Sequence, residues 1–203
     1  MGFRDPYFLY IILCNQKEVK IWQITTSVSK MDFIKQKMIR IFIDIENTVI
    51  DSLFDRNWML SNIEGIKKCL KKMEDETLCV SLFTWGWTKT EEIEPELVKM
   101  IFDKLEVRED LRGDVVIKEN SVDDAIHAGW LHSCDKEEAL IPGMMGEFGL
   151  TKQMMFFKMC EKFIAGTQCI LIDDLVERDS FQVERLNDCV SIALFNPKDL
   201  KND

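Results

Sequence analysis

Three apolar runs in this chain each end on groups able to do chemistry. In 41–49, Ile-Phe-Ile-Asp-Ile-Glu-Asn-Thr-Val, the carboxylates of Asp44 and Glu46 stand two residues apart and Thr48 follows two further on. The run Leu-Cys-Val-Ser-Leu-Phe at 78–83 ends at Thr84, with Trp85-Gly86-Trp87 behind it. The run Gln-Cys-Ile-Leu-Ile at 168–172 ends on the pair Asp173-Asp174. A carboxylate so placed can act as a nucleophile, a metal ligand or half of an acid/base pair. Taken alone, a solvated Asp at the end of a strand is commonplace, because loop ends are polar by default.

The elements that carry these groups alternate in type. Short apolar runs at about 39–44, 78–83, 115–117, 168–172 and 191–195 read as strands. Between them lie helical patterns. One spans about 61–73, with Ile63, Ile66, Leu70 and Met73 on one face and Ser61 and Glu64 spaced as a capping box. A second opens at Pro95 and carries Leu97, Ile101 and Leu105 on one face. A third spans about 150–164. Strands separated by helices predict an α/β, Rossmann-like three-layer sandwich with a mostly parallel sheet. Right-handed crossovers bring all the carboxyl strand ends to one edge, where open parallel sheets bind ligands. Asp44, Glu46, Thr84, Asp173 and Asp174 are therefore expected to converge. Carboxylates gathered in one cleft repel unless a cation neutralises them, and an oxygen-rich site with water access suits Mg2+.

In order, spacing and strand context the set resembles the haloacid dehalogenase superfamily of phosphotransferases. Its first motif is an apolar run followed by Asp-x-Asp-x-Thr, standing here as Asp44-Ile45-Glu46-Asn47-Thr48. Its second is a strand ending in Thr or Ser, here Thr84. Its third is a Lys opening a helix some twenty residues before the fourth, here Lys152. Its fourth is a strand with an acidic pair, here Asp173-Asp174. The likeness runs from 39 to about 196. It implies that Asp44 attacks a phosphoryl group, that Thr84 binds phosphate oxygens, and that Lys152 neutralises charge on nucleophile and phosphate. It also implies that Mg2+ is held by Asp44, the main-chain carbonyl of Glu46, and Asp174, with Asp173 in support. The family's phosphatases usually carry Asp where this chain has Glu46. Three readings stay open: Glu46 protonates the leaving oxygen and activates water in a slightly wider site, the enzyme is slow, or the site binds phosphate and metal without turnover.

Plainer roles compete for several residues. Thr48 reads as a structural hydroxyl bonded to nearby backbone. Lys152 could be a solvated helix lysine, with Lys158 and Lys162 as rivals, but it lies nearest the end facing the site edge. Trp85 could be an aromatic wall for a flat substrate group, or it could pack locally, as Trp87 is expected to do. His127 and His132, five apart, suit surface or capping roles. Asp123-Asp124 reads as an acidic helix start after Ser121. Met144-Met145 and 154–157 read as core filling.

Residues 1–38 read as an N-terminal β-hairpin extension, with runs at 7–14 and 19–28 around Asn15-Gln16-Lys17-Glu18. The remainder, 39–203, reads as one phosphotransferase-like domain with a small insertion near 118–150, too short for more than a small lid. A net charge of −10 disfavours nucleic acid as main partner, since counterion release needs clustered Lys and Arg. Seven scattered cysteines without a CxxC pair suggest a reducing, cytoplasmic setting. The apolar run 7–14 is too short to span a bilayer, and no small-residue cleavage site follows it. The sequence thus points to a Mg2+-dependent phosphomonoester hydrolase acting on a nucleotide or another small phosphorylated metabolite. A catalytically weak phosphate-binding or protein-interaction module is the alternative. Oligomeric state is not readable.

Overall fold

Ile41 and Ile43 face one way along their strand and Phe42 the other, yet all three are buried. That is the signature of a strand covered on both faces, as in parallel sheets flanked by helices. The computed structural model describes residues 10–15, 18–23, 38–53, 58–73, 77–164, 166–176, 182–185 and 191–200. Its main sheet contains β3 (Met38–Asp44), β4 (Thr77–Phe83), β5 (Arg112–Val116), β6 (Gln168–Ile172), β7 (Gln182–Arg185) and β8 (Ser191–Phe195). The spatial order is β5-β4-β3-β6-β8-β7. Five strands run parallel, and β7 pairs antiparallel with β8 at the edge.

Helices cover both faces. Against Ile41, Ile43, Val80, Leu82, Ile170 and Ile172 pack the apolar faces of α1 (Ile63–Lys72) and α2 (Pro95–Lys104). On the opposite face Phe42, Phe83, Leu171 and Leu194 pack against Phe156 and Cys160 of α6 (Lys152–Cys160). The 118–150 segment is helical: α3 (Lys118–His127), α4 (Lys136–Leu140) and α5 (Met144–Glu147). Val122, Ala125, Leu140, Met145 and Leu150 form its core with Met155 of α6. Met145, Met155 and Phe156 are core residues as expected, whereas Met154 is exposed.

Ahead of the sheet, β1 (Tyr10–Asn15) and β2 (Glu18–Gln23) pair antiparallel as a separate two-stranded sheet. The linking residues 16–17, the segments 1–9 and 24–37, and the side chains of both strands lie outside the described residues, and with them most of the expected extension. Among the described residues no helix is long and apolar enough to cross a membrane.

Local boundaries differ from the sequence reading in several places; β5 runs Arg112–Val116 instead of 115–117, and Ile117 is the N-cap of α3. The expected capping box at α1 is absent. Asn62 is the N-cap, in left-handed conformation at φ 56°, and makes no capping bond. Its side chain instead donates to the carbonyl of Thr48 at 2.8 Å, joined by Ser61 Oγ at 3.2 Å. A long-range bond to the loop after β3 thus outcompetes the local cap. Asp123-Asp124 is not at a helix start, because α3 opens earlier: Asn120 Oδ1 accepts from the Ile117 amide at 2.9 Å, and Trp87 O accepts from the Lys118 amide at 3.1 Å. The two carboxylates pair with Lys136 and Lys162 instead. Finally, α6 is shorter than 150–164. Thr151 caps its start by accepting from the Met154 amide at 3.2 Å, and from Lys162 on the chain turns on bonds of the tighter i→i−3 type.

Candidate functional site

Strand register brings the expected groups together. Asp44 pairs in register with Phe83, and Ile43 with Ile172. Thr84 and Asp173 therefore flank Asp44 at the carboxyl edge, one on each side. The three are buried, with Asp44 2 % and Thr84 and Asp173 0 % exposed.

Lys152, the first residue of α6, reaches this edge from the face of the sheet. Its ammonium contacts Asp44 Oδ1 directly, lies 3.6 Å from Asp173 Oδ2, and stands 5.6 Å from the centre of the Phe83 ring. Its rivals are occupied elsewhere, Lys158 by Glu161 and Lys162 by Asp124. Another lysine, Lys118, follows β5 at the same edge and is fully buried, but its ammonium donates to Leu140 O at 3.0 Å and to Ile141 O. It ties the 118–150 helices down and leaves Lys152 as the cation that meets Asp44.

Thr48 joins two loops. Its hydroxyl donates to Asp44 Oδ2 at 3.2 Å and accepts from the Asp174 amide at 3.0 Å. Its carbonyl is held by Ser61 and Asn62, while Ile45 O accepts from the amides of Val49 and Ile50 at 2.9 and 3.0 Å. Asn47 takes the left-handed conformation that this tight turn needs. Thr48, expected to bond nearby backbone, instead bonds through its hydroxyl the Asp44 carboxylate and the amide of Asp174, distant in sequence. The loop carrying the acidic pair has its own brace: Asn196 Nδ2 donates to Asp174 O at 3.1 Å and Val176 O at 2.6 Å. Sequence reading missed Asn196. It is the polar residue ending β8, so the strand-end rule that singled out Asp44, Thr84 and Asp173 also covers it.

Burial and crowding strain the carboxylates. Asp44 is pushed up to about 7 by burial, which Lys152 opposes and Asp173 and Asp174 reinforce. Asp174 is raised by burial and by Asp173. Burial by itself would lower the Lys152 ammonium, but Asp44 and Asp173 outweigh it and the net shift is upward. Oxygens of Asp44, Asp173 and Asp174 all lie within 4.8 Å of one another. Asp173 Oδ1 accepts from the Leu175 amide at 2.9 Å, but its buried Oδ2 has no hydrogen-bond partner. Three converging oxygens with one unsatisfied fit a hard cation such as Mg2+, whose ligands in an octahedron lie at most about 4.2 Å apart. The carbonyl of Glu46 accepts no backbone hydrogen bond among the described residues.

Glu46 is half-buried and lies against the backbone of Gly86 rather than among the three aspartates. Thr84 receives the Gly86 amide on its hydroxyl oxygen at 2.9 Å, and its own amide is held by Val116 O at 2.9 Å. Among the described residues its hydroxyl proton has no acceptor. Trp85 turns toward α3, where its indole N–H donates to Ser121 Oγ at 2.9 Å, and Trp87 is buried in the core. His132 accepts from the Cys134 amide at 3.3 Å, a capping role of the kind expected.

Comparison of the chain with protein-family models, with curated proteins and with solved structures gives no significant match in any of the three.

Proposed function

We propose that this chain is a Mg2+-dependent phosphomonoester hydrolase of the haloacid dehalogenase type, acting through an aspartyl-phosphate. The observation that supports this most is the direct contact of buried Lys152 with Asp44, inside a cluster completed by Asp173 and Asp174. A nucleophilic carboxylate needs orienting, charge neutralisation and a site for the incoming phosphate. Thr48 orients Asp44 from one oxygen, and Lys152 holds the other.

In the first step a carboxylate oxygen of Asp44 bonds to phosphorus while the bond to the ester oxygen breaks. Glu46 gives that oxygen a proton, so the leaving group departs as an alcohol. Thr84 donates its hydroxyl to a phosphoryl oxygen, and Lys152 balances the charge shared between Asp44 and the phosphoryl group. In the second step Glu46 takes a proton from water, whose oxygen attacks phosphorus and returns Asp44 as a carboxylate with inorganic phosphate as product. Bound through Asp44, Asp173 and Asp174, Mg2+ would supply charge compensation for the carboxylates and the phosphate. The substrate proposed is a nucleotide or other small phosphorylated metabolite.

The test is hydrolysis of p-nitrophenyl phosphate with Mg2+ and with EDTA. Activity is expected with Mg2+ and is expected to fall to background in EDTA and in Asp44→Asn. An Asp44→Asn protein as fast as wild type removes the nucleophile assignment. Mg2+-dependent binding of beryllium fluoride without turnover points instead to a phosphate-binding module.

A further inference from the structure

Gly86 has no conformational reason to be glycine: its φ lies outside the left-handed region where Gly129, Gly143, Gly149 and Gly166 sit. Space accounts for it. A Cβ on Gly86 would stand 2.5 Å from Glu46 Oε2, 2.8 Å from Glu46 Cδ and 2.1 Å from Leu53 Cδ1. Real Cβ atoms do not approach within 3.0 Å. Nor is the backbone at 86 free to retreat. Its amide is bonded to Thr84 Oγ1 at 2.9 Å, Trp85 is pinned to Ser121 and Trp87 is buried on the other side. Whatever rests on Gly86 must accommodate a fixed surface.

We infer that Gly86 is the positioning residue for Glu46, its missing side chain providing the space in which the longer glutamate carboxylate stands beside the Thr84 loop. Resting on the hydrolase reading, this accounts for a glutamate one methylene longer than aspartate: the extra length is absorbed at position 86. Positions 46 and 86 are then coupled: shortening Glu46 to Asp relieves the contacts at 2.5 and 2.8 Å, while the 2.1 Å contact with Leu53 Cδ1 remains. Leu53 shares the surface, but it is apolar and has no proton to deliver.

The test is a double-mutant cycle with a generic aryl phosphate and Mg2+, using Gly86→Ala, Glu46→Asp, their combination, and Gly86→Ala with Leu53→Ala. Gly86→Ala is expected to lower kcat by roughly tenfold to a hundredfold, the cost of about 1 Å of displacement, with KM little changed. Adding Glu46→Asp should restore part of that loss, the non-additive result expected of neighbouring groups, with the Leu53 contact remaining. Multiplicative losses in the combined variant overturn the inference, as does rescue by Leu53→Ala in place of Glu46→Asp. Thermal melts of the same variants carry the test without activity: the Tm loss from Gly86→Ala should shrink in the Glu46→Asp background. Equal losses in both backgrounds refute the seating of Glu46. A wild-type protein without turnover refutes the hydrolase reading alone, and the melts then decide the pairing.

Discussion

Asp44→Asn should stabilise the metal-free protein at alkaline pH while removing its response to Mg2+. The carboxyl of Asp44 is raised from 3.8 to about 7 in the folded chain. A group whose folded pKa lies above its unfolded value contributes stability that is complete below the unfolded pKa and lost as pH rises through the folded one. Above pH 7 the whole difference is lost, about three pH units or on the order of 4 kcal/mol at 1.36 kcal/mol per unit. At pH 5.5 only the interval above 3.8 counts, about 2 kcal/mol. Asparagine keeps the shape and stays neutral at every pH, so it should recover up to about 4 kcal/mol at pH 8 and about half that at pH 5.5. These are ceilings, since the amide presents an N–H where a carboxyl oxygen accepted. For a chain of this size 1 kcal/mol moves Tm by roughly 2–4 °C, so the pH 8 gain is readable in a thermal melt. The assay is urea and thermal unfolding of both proteins in EDTA at the two pH values, repeated in saturating Mg2+. Wild type should regain roughly 3 kcal/mol at a hundredfold excess of metal over its Kd, and the variant should gain far less. An Asn variant that is less stable in EDTA at pH 8, with the wild-type pH slope, would refute the electrostatic account of the cluster.

Removing the cation should act in the opposite direction. Lys152→Ala leaves three crowded carboxylates and is expected to cost about 3–5 kcal/mol in EDTA at pH 8, with much of the loss restored by Mg2+ or by lowering the pH to 5.5, as read by thermal melts. Thr48→Val cuts the bonds to both Asp44 and the Asp174 amide. It should cost about 1–3 kcal/mol and weaken Mg2+ binding by roughly tenfold to a hundredfold, the usual effect of losing a support behind metal ligands, measured by calorimetry. Because a proton on Asp44 competes with the metal, wild-type Mg2+ affinity should climb from pH 5.5 and level off above about 7. An affinity that is flat over that interval removes Asp44 from the ligand set.

What the sequence made legible was whatever sits at the end of a strand. β6 and β8 fall on the residues the apolar runs marked, Asp44 closes β3, and Asp173 follows β6. Lys152 was legible because helix start and sheet edge coincide in this topology. What stayed hidden depends on contacts between loops distant in sequence. The spacing of Ser61 and Glu64 satisfies the capping rule, yet Ser61 and Asn62 bond a carbonyl more than ten residues back. Local pattern ranks only local partners, and a better distant acceptor overrides it. The short edge strand β7 escaped notice because Gln182-Val183-Glu184-Arg185 has one apolar residue and so no hydrophobic alternation in its sequence. Gly86, between two tryptophans, looked like a loop glycine. Only the positions of Glu46 and Leu53 show what a side chain there would meet.

Charge balance ties these details to one another. With all three aspartates ionised and Lys152 protonated, the cluster carries two uncompensated negative charges in a site walled by buried side chains. Each buried carboxylate without a full counter-charge lowers stability. A phosphate monoester entering the bare cluster would meet repulsion on top of that. A divalent cation removes both costs, first by cancelling the excess and then by leaving Lys152 and the Thr84 hydroxyl as unopposed donors toward the phosphate. Metal and phosphate should therefore bind with positive coupling, each raising affinity for the other by the same factor. The unsatisfied Asp173 Oδ2, the raised Asp44 and the support of Thr48 and Asn196 behind the ligands then have one physical cause. On the proposed reading, the fold holds a charge arrangement that is unfavourable alone and would become favourable with cation and phosphate both bound.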